Sequence, residues 1–173
     1  MSGELPTLGF VTVCEHEELG LIGGCLVLNT AGRPLEFHCT TPVKPNRALE
    51  ILYGPTLKPF LYGEQIAATL VNKAKGRPLF LCTDNEFVAA VRMQSSCPVL
   101  LVLNDGAELP NPALWRGFEV ASTRAAVWKR WPQDEATVLE AARPFADHFD
   151  FGEPFQRIRE ALEEARKSAR PAA

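Results

Sequence analysis

The sequence lacks the features that mark exported and membrane-inserted proteins. It shows no basic stretch followed by a long apolar run, which argues against a signal peptide. Apolar runs such as residues 98–103 are far too short to cross a bilayer. The chain also has no large excess of one charge, since 18 lysines and arginines stand against 21 aspartates and glutamates, a formal net charge of −3. We therefore expect a cytoplasmic protein with no general electrostatic attraction to membranes or nucleic acids.

Motifs that would identify a reaction are missing as well. There is no glycine-rich dinucleotide fingerprint and no P-loop. No nucleophile, base and orienting group stand in a recognisable pattern. The five cysteines are an odd number in a chain of 173 residues, which is large enough to fold without disulfides, so we expect reduced and mostly buried thiols. The sequence therefore names no reaction and implies no cofactor.

What the chain does contain is a series of strand and helix signals. Strands are predicted at residues 9–14, 24–29, 34–40, 78–82, 97–103 and 117–121, with Gly32 supplying a positive φ in the first hairpin turn. Helices are predicted at residues 45–53, 59–74, 87–92, 123–131, 135–143 and from 153 onwards. Proline or a capping residue stands near the start of most of these helices.

Two of these strands decide the fold class. Residues 78–82 and 97–103 are nearly continuous apolar runs, which indicates burial on both faces and parallel pairing across a crossover connection. We predict one compact α/β domain over residues 7–167, with flexible termini at residues 1–6 and 168–173. Its mixed sheet of about five strands is flanked by helices, and an amphipathic helix closes the C-terminus.

In the second strand of the predicted hairpin, residues 34–40, one face is expected to belong to the core. Leu35, Phe37 and Cys39 alternate with Glu36 and His38, so the two sets point to opposite faces. We predict that the apolar set packs inside. The polar set then faces solvent or a polar neighbour.

Residue types that bind metals occur in one grouping, Cys14 with His16 and His38 with Cys39. Adjacent strand residues point to opposite faces, so His38 and Cys39 cannot both reach one ion without a bulge. Structural zinc sites use four ligands, often in short-spaced pairs, and none is present. We predict no metal site and interpret Cys14 and Cys39 as structural thiols.

Catalytic interpretations of single residues compete with structural ones. Cys82 precedes a capping-box pattern, Thr83 with Glu86, and a helix N-terminus favours a thiolate. A small apolar residue at the end of a buried strand is the commoner situation. His38 could act as a base or could be an ordinary hydrogen-bonded histidine. No catalytic residue is predicted, and the sequence leaves the roles of Cys14, His16, His38 and Cys82 open.

Polar residues follow both apolar strands, at the edge where α/β sheets bind ligands. These residues are Thr83, Asp84, Asn85, Asn104, Asp105 and Gly106. Helix caps and turns require the same residue types. A pocket at this edge that also reaches His38 is the basis of our alternative hypothesis, a small enzyme or small-molecule sensor.

Aromatic side chains suggest contact with a partner. Tyr53, Phe60 and Tyr62 lie close together in the sequence, and Trp128 and Trp131 share a face of the predicted helix 123–131. Such residues are common anchors in protein interfaces. With no catalytic pattern present, they favour a non-enzymatic binding or assembly module that acts through protein–protein contacts and could form a homodimer.

Nucleic-acid binding is the third function considered. Arg124, Lys129 and Arg130 interleave with the two tryptophans, and such a stripe could stack bases and contact phosphates. The overall charge does not favour this function. If it occurs, we expect an affinity that falls steeply with salt.

Overall fold

The computed structural model describes residues 5–169 as a sheet between two layers of helices. The seven strands, in the spatial order β3-β2-β1-β4-β5-β7-β6, are β1 (Thr7–His16), β2 (Gly20–Asn29), β3 (Pro34–Cys39), β4 (Leu81–Thr83), β5 (Val99–Val102), β6 (Trp115–Val120) and β7 (Thr123–Trp128). Flexible ends were predicted at residues 1–6 and 168–173; residues 1–4 and 170–173 lie outside the described part, and the prediction is untested.

Helices of three kinds connect these strands. They are α1 (Arg47–Tyr53), a π-helix (Pro59–Ala67), α2 (Ala68–Lys73), α3 (Gln133–Ala141) and α4 (Glu153–Ser168), with 3₁₀-helices at Gly54–Thr56, Val88–Met93 and Arg143–Phe145. Side-chain hydrogen bonds stand at an N-cap in α1 and in the turn that precedes α4. Asn46 Oδ1 accepts the Leu49 N–H at 2.9 Å at α1, and Asp150 Oδ1 accepts the Gly152 N–H at 2.8 Å before α4. None of the described helices is both long enough and apolar enough to cross a membrane.

The predicted α/β fold with a mixed sheet is confirmed. β1 pairs with β4 and β4 pairs with β5 in parallel, and every other neighbouring pair is antiparallel. The sheet has seven strands, more than the five we expected, because β6 and β7 form a hairpin.

The predicted helix over residues 123–131 is wrong, since this segment contains β7. Ala125 and Val127 are buried in the sheet, and Trp128 pairs with Trp115 on β6. The two-residue turn consists of Ala121 (φ 47°) and Ser122 (φ 66°). Positive φ at both central positions is what the tight hairpin turn needs, although neither residue is glycine or asparagine.

Each face of the sheet covers its own hydrophobic core. On one face, called here the π-helix face, the π-helix and the 3₁₀-helix at Val88–Met93 pack on the strands. On the other, the α4 face, α3 and α4 enclose five fully buried phenylalanines, which are Phe10, Phe80, Phe145, Phe151 and Phe155.

A pair of glycines lets helices approach both faces of β2. Gly23 and Gly24 point to opposite faces, as neighbours in a strand do. A Cβ atom on Gly24 would lie 2.5 Å from Ile158 Cγ2 of α4, and one on Gly23 would overlap Ile66 of the π-helix. Both helices therefore rest directly on the backbone of this strand.

The predicted inward face of β3 is also wrong. Leu35 is 54% exposed, Phe37 is 38% exposed, and Cys39 is exposed as well. The physical reason is that β3 is an edge strand, and α4 packs on β1 and β2 rather than on it. On the opposite face the chain after α2 covers β3, where Glu36 accepts the Lys75 and Gly76 N–H groups at 2.8 and 2.9 Å.

Candidate site at the carboxyl end of the parallel strands

The carboxyl ends of β1, β4 and β5 meet at one edge of the sheet, because the three strands are parallel. Open α/β sheets bind their ligands at such an edge. Cys14 and His16 end β1 here, Asp84 follows β4, and Asn104 lies after β5. The helix α4 lies beside β1 and supplies Arg159, Glu163 and Arg166.

A chain of polar contacts joins three elements at this edge. The register that sets Phe10 opposite Cys82 brings Thr12 beside Asp84, two residues further along. Thr12, only 1% exposed, donates its hydroxyl hydrogen to Asp84 Oδ1 over 2.7 Å. Arg159 Nη2 forms an ion pair with the second oxygen, Oδ2. Both carboxylate oxygens of Asp84 therefore have a donor.

Arg159 remains accessible while it makes this contact. Its side chain is 44% exposed, whereas that of Asp84 is 10% exposed. A guanidinium group carries five N–H donors, so one ion pair leaves donors unused. The contact with Asp84 thus fixes the orientation of a cationic group that solvent, or a ligand, can still reach.

A groove of about 400 Å³ runs between β1 and α4. It is called here the β1–α4 groove, and its polar lining includes Cys14, His16, Arg159, Glu163 and Arg166. Arg166 Nε donates to Glu163 Oε2 at 3.0 Å, and this hydrogen bond lowers the pKa of Glu163. The groove is therefore lined by two guanidinium groups, each paired with one carboxylate, and by the further carboxylate of Glu15.

The four residues whose types could bind a metal are not brought together as one group. Cys14 and His16 are on β1, whereas His38 and Cys39 are on β3, with β2 in between. His16 Nδ1 accepts the Glu18 and Leu19 N–H groups, each at 3.3 Å, and His38 Nε2 lies 3.2 Å from Glu36 Oε1. Across residues 5–169 no three His, Cys, Asp or Glu side chains are grouped so that they could hold a metal ion.

Burial favours the protonated thiol at Cys82 and Cys14. Cys82 is fully buried, and burial raises the pKa of its thiol well above the ordinary value. Burial also raises the pKa of Cys14, against a smaller lowering by Arg159. Since the thiolate is the nucleophilic form, this arrangement favours the structural interpretation of both residues.

The other residues of the predicted ligand edge form turns. Thr83 is buried, and its Oγ1 accepts the Asn85 N–H at 3.2 Å. Asn85 Oδ1 accepts the Phe87 N–H at 2.9 Å, just before the 3₁₀-helix at Val88–Met93. The predicted capping box with Glu86 does not form. Asn104 and Asp105 are exposed in the loop after β5, and His38 is separated from β4 by two strands.

The aromatic residues predicted to bind a partner are largely packed within the chain. Tyr62 is 4% exposed and donates its hydroxyl hydrogen to Glu15. Burial and this carboxylate together raise the pKa of Tyr62. Tyr53 stacks on Phe60, with ring centroids 4.4 Å apart. A partner-binding role for these three residues stays a prediction.

The basic and aromatic stripe predicted on a helix is dispersed, because its first part is β7. Arg124 donates to the Ala107 carbonyl at 2.8 Å and Lys129 to the Pro112 carbonyl at 2.7 Å. The Arg130 guanidinium lies 5.0 Å from the centre of the Trp131 ring. Trp128 stacks on Trp131 with ring centroids 5.6 Å apart. Arg124 and Lys129 thus hold loop carbonyls, whereas Arg130 lies over an aromatic ring.

Sequence reasoning missed Thr12, Arg159 and Arg166. A signal for the first was present, since Thr12 is the one hydroxyl-bearing residue within the apolar run 8–13 and a buried polar group needs a partner. The arginines gave no such signal. They stand on the charged side of an amphipathic helix, where most arginines face solvent.

Comparison with known proteins gives a fold and no family. No protein-family model matches the chain, and no curated protein matches it. The structure of human ENDOV has a TM-score of 0.54 at 16% identity, covering 96% of this chain and 87% of that chain. Ciona intestinalis endonuclease V, solved with a 23mer DNA containing an inosine followed by a ribo-adenosine, has a TM-score of 0.53 at 9% identity, covering 94% and 87%.

These two structures overturn one of our predictions. We expected a non-enzymatic assembly module acting through protein–protein contacts, with an interaction surface as its defining feature. The fold is instead one that endonuclease V has, along nearly the whole described chain. At identities of 16% and 9%, this likeness establishes the shared fold alone. An activity has to be argued from the residues at the carboxyl ends of the parallel strands.

Proposed function

We propose that this protein binds nucleic acid, with the phosphodiester backbone lying along the β1–α4 groove. The single observation that carries this proposal is the placement of Arg159. Its guanidinium group is fixed by Asp84, is 44% exposed, and lies at the ligand-binding edge of the sheet. The likeness to a structure of endonuclease V in complex with DNA supports the same ligand class.

The chemistry of the groove suits a phosphate. Arginine binds phosphate oxygens through paired N–H donors, and a guanidinium group that is already oriented loses less side-chain freedom on binding. Arg166 lies on the same side of α4, seven residues along the chain from Arg159, and also lines the groove. Arg166 is 18% exposed and pairs with Glu163 through Nε and Nη2, yet its guanidinium group keeps further N–H donors, and we assign it the second phosphate contact.

The overall charge of −3 is compatible with such a local site. Exposed carboxylates stand nearby, at Glu17 and Glu18 in the turn between β1 and β2. Glu18 lies close to Arg166, so Arg159 is the cation of the groove that is less affected by these carboxylates. With two phosphate contacts, the logarithm of affinity should fall with the logarithm of salt concentration with a slope of about −1.4 for single strands.

Fluorescence anisotropy with labelled oligonucleotides tests the proposal. The probes are single-stranded DNA, single-stranded RNA and duplex DNA, each a 23mer like the one in the Ciona complex. At about 50 mM salt we expect at least one probe to bind, and Arg159→Ala to weaken that binding about tenfold, since charged hydrogen bonds contribute about 1.5–3 kcal/mol.

The matched control is Arg143→Ala. Arg143 is 75% exposed and pairs with Glu140. The neighbouring Pro144 and Phe145 contact the turn between β2 and β3, at the opposite edge of the sheet. This variant should bind as the natural protein does. The proposal fails if no probe binds, or if Arg159→Ala and Arg143→Ala have the same effect.

A further inference from the structure

Enzymes that cleave phosphodiester bonds commonly hold one or two divalent metal ions, about 4 Å apart where there are two. Such ions need oxygen ligands, chiefly carboxylates whose lone pairs are available. The fold shared with endonuclease V raises the question of whether this edge can hold one. The carboxylates in question are Asp84, Glu15 and Glu163.

Each of these three carboxylates already has a donor within the chain. Asp84 accepts from Thr12 through one oxygen and pairs with Arg159 through the other. Glu15 accepts the Tyr62 hydroxyl, and Glu163 pairs with Arg166. The residue of β1 that lies beside Asp84 is Thr12. Its hydroxyl donates a hydrogen bond to Asp84 and is not a carboxylate ligand. Residues 5–169 offer no group of three metal-binding side chains, and both oxygens of Asp84 are occupied, so the side chains at this edge do not fit a divalent ion held by the protein alone.

We propose that the Arg159 guanidinium takes the place of a metal ion as the cation of Asp84, so that phosphate binding in the β1–α4 groove is independent of divalent metals. This inference rests on the proposed function for its ligand. Arginine keeps its charge at every physiological pH. The positive charge at this edge is therefore permanent, and neither chelators nor the metal supply of the cell should alter it.

The geometry also gives Thr12 a role in the orientation of Asp84 and Arg159. Its hydroxyl donates a hydrogen bond to Asp84 Oδ1 over 2.7 Å, and the ion pair with Arg159 forms through Oδ2. Thr12 is 1% exposed, so no solvent molecule competes for this contact. Thr12 is thus a positioning residue for Asp84, and Asp84 in turn positions Arg159.

The first test measures metal binding directly, on the intact protein and without nucleic acid. Titration calorimetry with MnCl₂ should show no saturable binding below about 1 mM. Uptake of one Mn²⁺ per chain that Asp84→Asn abolishes would overturn the inference. Because no oligonucleotide is present, this result does not depend on whether the proposed function is correct.

The second test repeats the anisotropy measurement in EDTA and in MgCl₂. The natural protein should bind equally well in both, within about twofold. Arg159→Gln should bind about tenfold more weakly, with no rescue by Mg²⁺, while Arg159→Lys should recover part of the affinity because it restores the charge without the paired donors. Arg143→Gln serves as the matched control and should have no effect.

The outcomes separate the two proposals. Binding by the natural protein that EDTA abolishes would overturn metal independence and leave nucleic-acid binding intact. Equal binding by the natural protein and Arg159→Gln would overturn the role of Arg159. Absence of binding to all probes would overturn the proposed function, and the Mn²⁺ titration would still decide whether Asp84 holds a metal.

Discussion

Arg92 holds Asp134 through two nitrogen atoms, although the two residues are 42 positions apart. The Nε–Oδ2 distance is 2.9 Å and the Nη2–Oδ1 distance is 3.3 Å. The side chains are only 12% and 5% exposed. The pair connects the 3₁₀-helix at Val88–Met93 to the start of α3, and so links the helices of the two sheet faces.

Loss of this ion pair should destabilise the protein strongly. Asp134→Ala leaves the largely buried Arg92 without its counter-charge, which typically costs about 3–5 kcal/mol. Glu140→Ala removes one partner of an exposed pair and should change the free energy of unfolding by less than about 1 kcal/mol. Urea denaturation measures both values. Equal losses would show that the buried pair contributes no more than the exposed one.

The buried hydroxyl of Thr12 should also be needed for stability. Thr12→Val keeps the shape of the side chain and removes the donor to Asp84, which should lower the free energy of unfolding by about 1–3 kcal/mol. Thr137→Val changes an exposed hydroxyl on α3 and should stay within about 0.5 kcal/mol. A Thr12→Val protein as stable as the natural one would contradict the polar role assigned to this residue.

The contact between Glu36 and the segment after α2 predicts a pH dependence. Hydrogen bonds from the Lys75 and Gly76 N–H groups lower the pKa of Glu36 below its ordinary value of 4.5. A carboxyl group with a lowered pKa in the folded state stabilises the fold above the unfolded value and loses that effect as the pH falls. Glu36→Gln should therefore be less stable at neutral pH, with the difference shrinking below about pH 4.5. A difference that is constant with pH would contradict this.

The five thiols should react in a defined order. Burial raises the pKa of Cys25 to about 12 and that of Cys97 to about 11, so both stay protonated at neutral pH. Cys39 is exposed on the edge strand. At about pH 8, Ellman's reagent should titrate one thiol quickly in the native protein and all five in urea. Cys39→Ser should abolish the fast phase, and a second fast thiol in that variant would show that the sheet opens more readily than its packing implies.

Close packing on β2 should make Gly24 intolerant of a side chain. The added Cβ of Gly24→Ala would lie 2.5 Å from Ile158 Cγ2, so α4 must shift. Overpacking of this kind costs about 1–3 kcal/mol. Gly117→Ala on β6 meets its nearest atom at 3.7 Å and should be neutral. Thermal denaturation compares the two, and similar melting temperatures would contradict the direct contact between α4 and β2.

The sequence predicted the central strands β4 and β5 better than the outer strands of the sheet, such as β3 and β7. The apolar runs before Thr83 and Asn104 indicated buried parallel strands, and the structure confirms the parallel pairing, with β4 limited to residues 81–83. In the outer strands, the burial of a side chain depends on which helix covers that strand. Phe37 is exposed because α4 stops short of β3, and the residues around Trp128 form a strand because β6 offers a partner. Neither fact can be read from local periodicity.

The candidate site was predictable in location and not in composition. Asp84 was proposed from its place after a parallel strand, and it does stand at the sheet edge. Its partners Thr12 and Arg159 are 72 and 75 positions away in the sequence. Contacts over such separations depend on strand register and helix placement, which propensities do not specify.

The parallel pairing of β1 with β4 also has a consequence for the order of folding. β1, β2 and β3 are joined by short turns, so their pairing closes only small loops and can proceed early. Residues 9 and 81 must meet across the entire intervening chain before Asp84 can reach Thr12, which is a slow, entropically costly closure. Asp84 therefore reaches Thr12 only after this closure. A partly folded chain that lacks the β1–β4 pairing would carry Arg159 without the contact that orients it, whereas Arg166 and Glu163, three residues apart on α4, need no such closure.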